Sequence, residues 1–170
     1  FDGQSREYFE AKDTLTFVFF LAIIFIFLVL SAQFESFVQP VSILMTVPLA
    51  LTGAILIVWT VGGTINVYSQ IGLIALIGLI TKHGILIVEF ANKCMAKGMT
   101  IEAAIVKAAS LRFRPIVMTT VSTIFGAIPL AFASGPGSEA REEIGWVIVG
   151  GMSLGTFLTL FILPSIFVWE

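Results

Sequence analysis

The sequence predicts an all-α integral membrane protein: a bundle of five transmembrane helices plus a short cytoplasmic interfacial helix. Three observations carry that prediction. Of 170 residues, 58% are hydrophobic and only 12% charged, against roughly 25% charged in ordinary soluble domains. Mean hydropathy is +1.04. The charges are clustered, and the runs between them reach or exceed the roughly 20 residues that a helix needs to cross hydrocarbon. The net charge of -2 adds little, because in such a chain the placement of charge matters more than its sum.

Residues 1–13, FDGQSREYFEAKD, are polar and cannot enter lipid; they read as the tail of an extramembrane domain that has been cut away, which the resemblance given below makes periplasmic. With no initiator Met at Phe1 and no basic stretch before an apolar core, the start is not a signal peptide, and the chain reads as a fragment. Between Asp13 and Glu35 lie 21 uncharged residues, which give the first span at 14–34. No charge occurs over the 46 residues from Ser36 to Thr81, too many for one crossing. The flexible GGTIN at 62–66 divides them into a second span at 40–60 and a third at 66–92 that contains Lys82. Thr100 can cap a short helix at 100–112, in which Ile101, Ala104, Ile105, Ala108 and Leu111 recur at helical spacing with Lys107 off the stripe. Such a helix lies along the cytoplasmic interface or serves as a plain connector. The charge-free run 115–138 supplies the fourth span at 115–134, and 144–169 is the fifth.

Basic residues in short loops favour the cytoplasm. Lys93, Lys97, Lys107, Arg112 and Arg114 lie between the third and fourth spans, against Arg6, Lys12 and Arg141 on the opposite side. This places the N-terminal end outside and the C-terminal end inside, as an odd number of spans requires. Trp59, Trp146 and Trp169 fall at span ends, as an aromatic belt would. Pro48, Pro129 and Pro164 lie within spans, where neighbours must satisfy the freed carbonyls. Gly72, Gly78 and Gly84 thin the third span, and Gly151 with Gly155 forms a GxxxG step in the fifth; small residues let helices approach closely in lipid.

Lys82 is the chemically informative residue. It lies about 24 Å along the helix from Asn66 and about 16 Å from Lys93 at roughly 1.5 Å per residue, deep in the span. Intramembrane charges usually face a bundle interior and belong to ion or proton pathways, although a snorkelling or silently paired lysine is also compatible. Glu89 is seven residues on, on the same face but about 10 Å away. It cannot pair directly with Lys82, and lying four residues before Lys93 it reads as a structural or interfacial charge. No other span carries an acidic residue in its middle, so Lys82 needs a partner from outside the chain.

His83 points about 100° away from Lys82. With no second histidine, no CxxC and no carboxylate cluster, a metal site is not expected. Cys94 is the single cysteine; it excludes an internal disulfide and reads as an inert thiol. Thr119, one turn into the fourth span, fits a hydroxyl bonded back to its own helix, and Arg112 and Arg114 by themselves read as topology anchors. Hydrolytic and phosphoryl-transfer motifs are absent, and the basic loop lacks the interleaved aromatics that stack nucleic-acid bases.

The stretches LVLSAQFESFVQPVSILMTVPLALTGA, GLIALIGLITKHGILIVEFAN and RFRPIVMTTVSTIFGAIPL, in this order, resemble the C-terminal transmembrane half of resistance-nodulation-division (RND) efflux pumps of the AcrB-like hydrophobe/amphiphile branch. The resemblance runs from about Gly3 to Glu170. It implies a proton-driven secondary active transporter, not an enzyme, that exports drugs or other amphiphilic compounds and needs no cofactor beyond its coupling protons. It also implies a homotrimer in the bacterial inner membrane, with a periplasmic adaptor and an outer-membrane channel as partners, and no nucleic acid. Lys82 matches the family's lysine on the tenth helix, which couples to two aspartates on the fourth. Arg112 matches the relay arginine two residues before the RP dipeptide, and Thr119 the threonine of the PIVMTT segment. By that match the five spans correspond to the eighth through twelfth helices, and the acidic pair lies in an N-terminal half outside the chain. One departure is His83, where the family commonly has asparagine, which bears on hydrogen bonding behind the lysine. Other members of the superfamily, such as lipid exporters or protein-translocation motor subunits, and a non-transporting assembly remnant are the alternatives.

Overall fold

The computed structural model describes residues 2–169, with side chains described from residue 9 onward except at position 12. Six helices follow one another, with no strand among the described residues: α1 (Asp2–Phe34), α2 (Val38–Leu44), α3 (Thr46–Val61), α4 (Val67–Met95), α5 (Ile101–Ala131) and α6 (Ser138–Trp169). Five helical runs are long and apolar enough to cross a bilayer, namely Phe9–Phe34, Val38–Val61, Val67–Met95, Ile101–Ala131 and Ser138–Trp169. The all-α, five-span class expected from the charge-free runs is therefore the observed one.

The helix boundaries follow from local chemistry. The second span is broken at Met45 into α2 and α3, because Pro48 has no N–H to bond the Leu44 carbonyl four residues earlier. Met45 N–H still bonds Val41 O at 2.9 Å, and the Thr46 hydroxyl donates to Ile43 O at 2.6 Å, so the chain passes the break with Met45 still in helical backbone conformation. α3 stops at Gly62, whose φ of 79° suits a residue without Cβ. There Gly62 N–H reaches Trp59 O and Gly63 N–H reaches Val58 O, a Schellman closure. α4 starts at Asn66, whose Oδ1 accepts from Tyr68 N at 2.9 Å and Ser69 N at 3.1 Å, an N-cap contributing about 1 kcal/mol.

Two boundaries differ from the sequence expectation. Residues 2–13 are helical and continuous with the first span rather than a separate tail. More consequentially, the short helix expected at 100–112 and the fourth span expected at 115–134 are one helix, α5, running through Pro115. Pro115 frees only the carbonyl of Leu111, a residue that is 54% exposed, so the bond is lost where other partners can replace it. The middle of the apolar stripe that looked interfacial is packed inside, since Ala104, Ile105 and Ala108 are fully buried, the last two in one cluster with Ala91 and Phe167, while its ends, Ile101 and Leu111, are exposed. Thr100 does cap the helix, accepting from Ala103 N at 3.4 Å.

α6 is the packing centre, lying against α3, α4 and α5, whereas among the described residues α1 touches only α2 and α4. The contacts on α6 rest on glycines. A Cβ at Gly150 would lie 2.5 Å from Ile57 Cβ, one at Gly155 would lie 2.8 Å from Ala50 Cβ, and one at Gly151 would overlap the Leu76 side chain. On α4, Gly72 meets Val147 at 3.1 Å and Gly84 meets Ile43 at 2.9 Å. A Cβ at Gly78 would meet nothing within 4 Å, so among the described residues Gly78 packs against none of these helices. A reciprocal amide pair, Gln39 Nε2 to Asn92 Oδ1 at 3.1 Å and Asn92 Nδ2 to Gln39 Oε1 at 2.8 Å, ties α2 to α4.

Candidate functional site

Lys82 stands on an outward stripe of α4. Ile71, Ala75, Gly78 and Lys82 are all exposed, while Gly72, Leu76, Ile80, Thr81 and His83 are buried. Spacings of four, three and four residues keep the exposed set within a narrow band on a helix of 3.6 residues per turn. The open space at Gly78 has the same cause, since it lies in that band one turn from Lys82. Among the described residues Lys82 makes no ion pair. Glu89 is already engaged, its Oε1 accepting from Lys93 Nζ at 2.6 Å, so it offers nothing to Lys82.

Arg112 and Thr119 sit seven residues apart on one face of α5, two turns or about 10 Å. Arg112 is half-buried, with its guanidinium carbon 5.0 Å from the centre of the Phe90 ring of α4, a cation–π arrangement. Its Nε is buried without a hydrogen-bond partner among the described residues, an unusual state for a charged donor. Arg114, by contrast, is exposed. The Thr119 hydroxyl is returned to its own helix, 3.1 Å from Pro115 O and 3.0 Å from Ile116 O. No hydrogen bond or ion pair joins Lys82, Arg112 and Thr119 among the described residues: Arg112 reaches α4 through Phe90, and Lys82 and Thr119 both face outward.

One polar feature was not anticipated. His83, 1% exposed, has its Nδ1 3.4 Å from Thr156 Oγ1, and Thr156 Oγ1 is 3.3 Å from Thr120 Oγ1. This chain links α4, α6 and α5. Each of the three is ordinary in sequence; only their shared depth in adjacent spans could have signalled the grouping. Gly53, Gly145 and Gly150 also pack closely without having stood out among the 15 glycines. No group of three or more His, Cys, Asp or Glu residues placed to hold a metal occurs among the described residues.

Residues 1–169 match the model of the AcrB/AcrD/AcrF family. Similar proteins include an uncharacterized transporter of Haemophilus influenzae, 47% identical over 98% of this chain and 17% of that protein. Another is the solvent-resistant pump membrane transporter SrpB of Pseudomonas putida, 40% identical over 99% of the chain and 16% of that protein. A third is multidrug resistance protein MdtC of Erwinia tasmaniensis, 37% identical over 99% of the chain and 17% of that protein. The chain thus spans about a sixth of the length of the relatives it matches. The segment that carries Lys82 on an unpartnered face of a five-helix bundle belongs to the AcrB/AcrD/AcrF family of RND transporters.

Proposed function

We propose that this chain is the transmembrane part of a proton-driven RND efflux transporter that exports drugs or other amphiphilic compounds. The observation that carries the reading is the placement of Lys82: a mid-span ammonium on an exposed stripe whose neighbours, Ala75 and Gly78, are small enough for another helix to approach. A charge so placed is costly unless a partner covers it. The partner we assign is an acidic pair on a helix of the missing N-terminal half. With those carboxylates ionised, the ammonium is held by opposite charge; when they take protons the attraction falls. The two states differ in how α4 packs against its neighbour, a bistable element of the kind that drives larger movements. The relatives' names, a solvent-resistant pump and a multidrug resistance protein, support efflux as the work done.

In this reading Arg112 and Thr119 complete the proton relay, the transporter is a homotrimer of the bacterial inner membrane with the N-terminal end of this segment periplasmic and the C-terminal end cytoplasmic, and it acts with a periplasmic adaptor and an outer-membrane channel. No cofactor besides the proton is required. The test is accumulation of a fluorescent dye in a pump-deficient host that expresses a full-length transporter carrying this segment. Accumulation should stay low while the proton gradient stands and rise to the level of the empty host when a protonophore collapses it. Accumulation indifferent to the gradient overturns proton coupling.

The same assay separates two arginines that the sequence alone treats alike. Arg112 is half-buried against Phe90 with an unpartnered Nε, whereas Arg114 is exposed. Arg112→Ala should therefore lower export more than Arg114→Ala, by roughly tenfold if coupling of about 1–2 kcal/mol is lost. Equal effects would return both to the role of topology anchors.

A further inference from the structure

The interior of the bundle changes character at the level of Lys82. One apolar core contains Ile80 of α4 and Met152 of α6; a second contains Ile87 of α4, Ile116 of α5 and Leu163 of α6. Between them along these helices lie His83, Thr120 and Thr156, which are 1%, 6% and 4% exposed. Apolar residues would fill such a layer without any need for partners, since a buried polar group is costly unless hydrogen-bonded. Here His83, Thr120 and Thr156 find each other instead, whereas the Thr159 hydroxyl, buried one turn further along α6, has no hydrogen-bond partner among the described residues. Thr156 is the middle link, 3.4 Å from His83 Nδ1 and 3.3 Å from Thr120 Oγ1. A hydroxyl has one proton and two lone pairs, so it can donate to one neighbour while accepting from the other.

The geometry fixes a rotation. His83 and Lys82 are consecutive residues, about 100° apart around the helix. When His83 is held inward by α6, and through it by α5, Lys82 has one remaining direction, the exposed stripe it shares with Ala75 and Gly78. No charge competes for the ring. On α4 its near neighbours are Lys82, a cation, and Glu89 six residues on, which is taken by Lys93. On α5 the nearest charged residue to Thr120 is Arg114, six positions away, and on α6 the nearest to Thr156 is Glu143, thirteen positions away.

We propose that His83, anchored through Thr156 to Thr120, is a positioning residue that sets the direction of Lys82 towards its partner helix. The proposal rests on the proton-coupled reading of Lys82. It assigns His83 no part in carrying the proton.

The experiment compares dye export by full-length transporters carrying this segment as wild type, His83→Leu, Thr156→Val, the double variant, His83→Asn and Lys82→Ala, each normalised to its amount in the membrane. His83→Leu and Thr156→Val should each lower export by roughly tenfold, within the range for residues that couple through packing. The double variant should be no worse than either single one, because both remove the same link. His83→Asn, whose amide can again donate or accept, should restore export. Thr156→Val leaves every titratable group in place, so a shift in the pH of half-maximal export marks a misplaced Lys82; a merely structural loss would lower export equally at all pH values. His83→Asn should keep the wild-type pH midpoint. Wild-type export by Thr156→Val, additive losses in the double variant, or failure of His83→Asn to restore export would overturn the proposal. If His83→Leu does not accumulate, Thr156→Val decides alone, since it preserves shape. If Lys82→Ala exports normally, the proton-coupled reading itself fails; if Lys82→Ala is inactive and Thr156→Val is normal, only the role of His83 fails.

Discussion

A full-length transporter carrying Lys82→Ala is expected to reach the membrane in normal amount and to export nothing measurable. The first half of that expectation follows from the fold. Lys82 is exposed on the outer stripe of α4, and no ion pair of this bundle depends on it. Truncating it therefore opens no cavity and strands no partner within the five helices. The second half follows from electrostatics. Removing one member of a buried ion pair leaves the other charge uncompensated, a cost of about 3–5 kcal/mol. At about 1.4 kcal/mol per factor of ten, that corresponds to a hundredfold or more in the population of the paired state. Dye efflux per unit of membrane-embedded protein is the measurement, and normal efflux by a well-expressed variant would remove Lys82 from the mechanism.

Lys82→Arg should fail as well, although it keeps the charge. An ammonium is a compact point charge with rotatable donors, while a guanidinium is a planar fork that asks for bidentate geometry. The stripe around Lys82 is built from a glycine and an alanine, which favour close helix approach and leave a broad group little room. If Lys82→Arg exports normally, charge alone suffices and the close approach plays no part in selecting lysine.

Most of the fold is legible in the sequence because a bilayer imposes one strong rule: backbone polar groups must be satisfied internally, so a charge-free run becomes a helix. The runs around Phe20, Leu76 and Gly151 could hardly do otherwise. The breaks were harder. Pro48 and Pro115 look alike as letters, yet the helix is interrupted before Pro48 and continues through Pro115. The difference lies in tertiary context, since Ala104, Ile105 and Ala108 find a buried home beside α4 and α6 that holds the first turns of α5 in place. Lys82 and Glu89 were legible as charges in the wrong solvent. That Glu89 would be consumed by Lys93 follows from their i,i+4 spacing. His83 was legible as a residue pointing away from Lys82, but its partners Thr120 and Thr156 lie 37 and 73 positions further along, and no local pattern connects them. The same applies to the glycines, for which the sequence cannot say which neighbour comes close. Gly78 faces open space while Gly145, in a less conspicuous setting, meets backbone.

Gly145→Ala is expected to be among the most damaging single-methyl additions in the chain, for a reason that separates it from the other glycines of α6. A Cβ at Gly145 would overlap the Ala131 backbone nitrogen and lie 2.7 Å from Ala131 Cα and 2.9 Å from the Leu130 carbonyl carbon. At Gly151 the obstruction is the end of the Leu76 side chain, which has other rotamers available. Backbone has none, and here it is the last turn of α5, with Ala131 itself buried. The only relief is to separate α5 from α6, which would also disturb the edge-on contact between Phe132 and Trp146, whose centroids are 5.3 Å apart. Overpacking of this kind costs about 1–3 kcal/mol, and since intramembrane packing is the main force between these helices, little compensates it. Gly126→Ala is the control, because a Cβ there meets nothing within 4 Å and alanine is the better helix former by up to about 1 kcal/mol. Thermal denaturation of the detergent-solubilised full-length transporter should show Gly145→Ala melting about a degree below wild type, as expected for a loss of about 1–3 kcal/mol in a protein roughly six times the length of this chain, and Gly126→Ala at or above it. Equal melting of Gly145→Ala and wild type would mean that α5 and α6 do not cross in contact at this end.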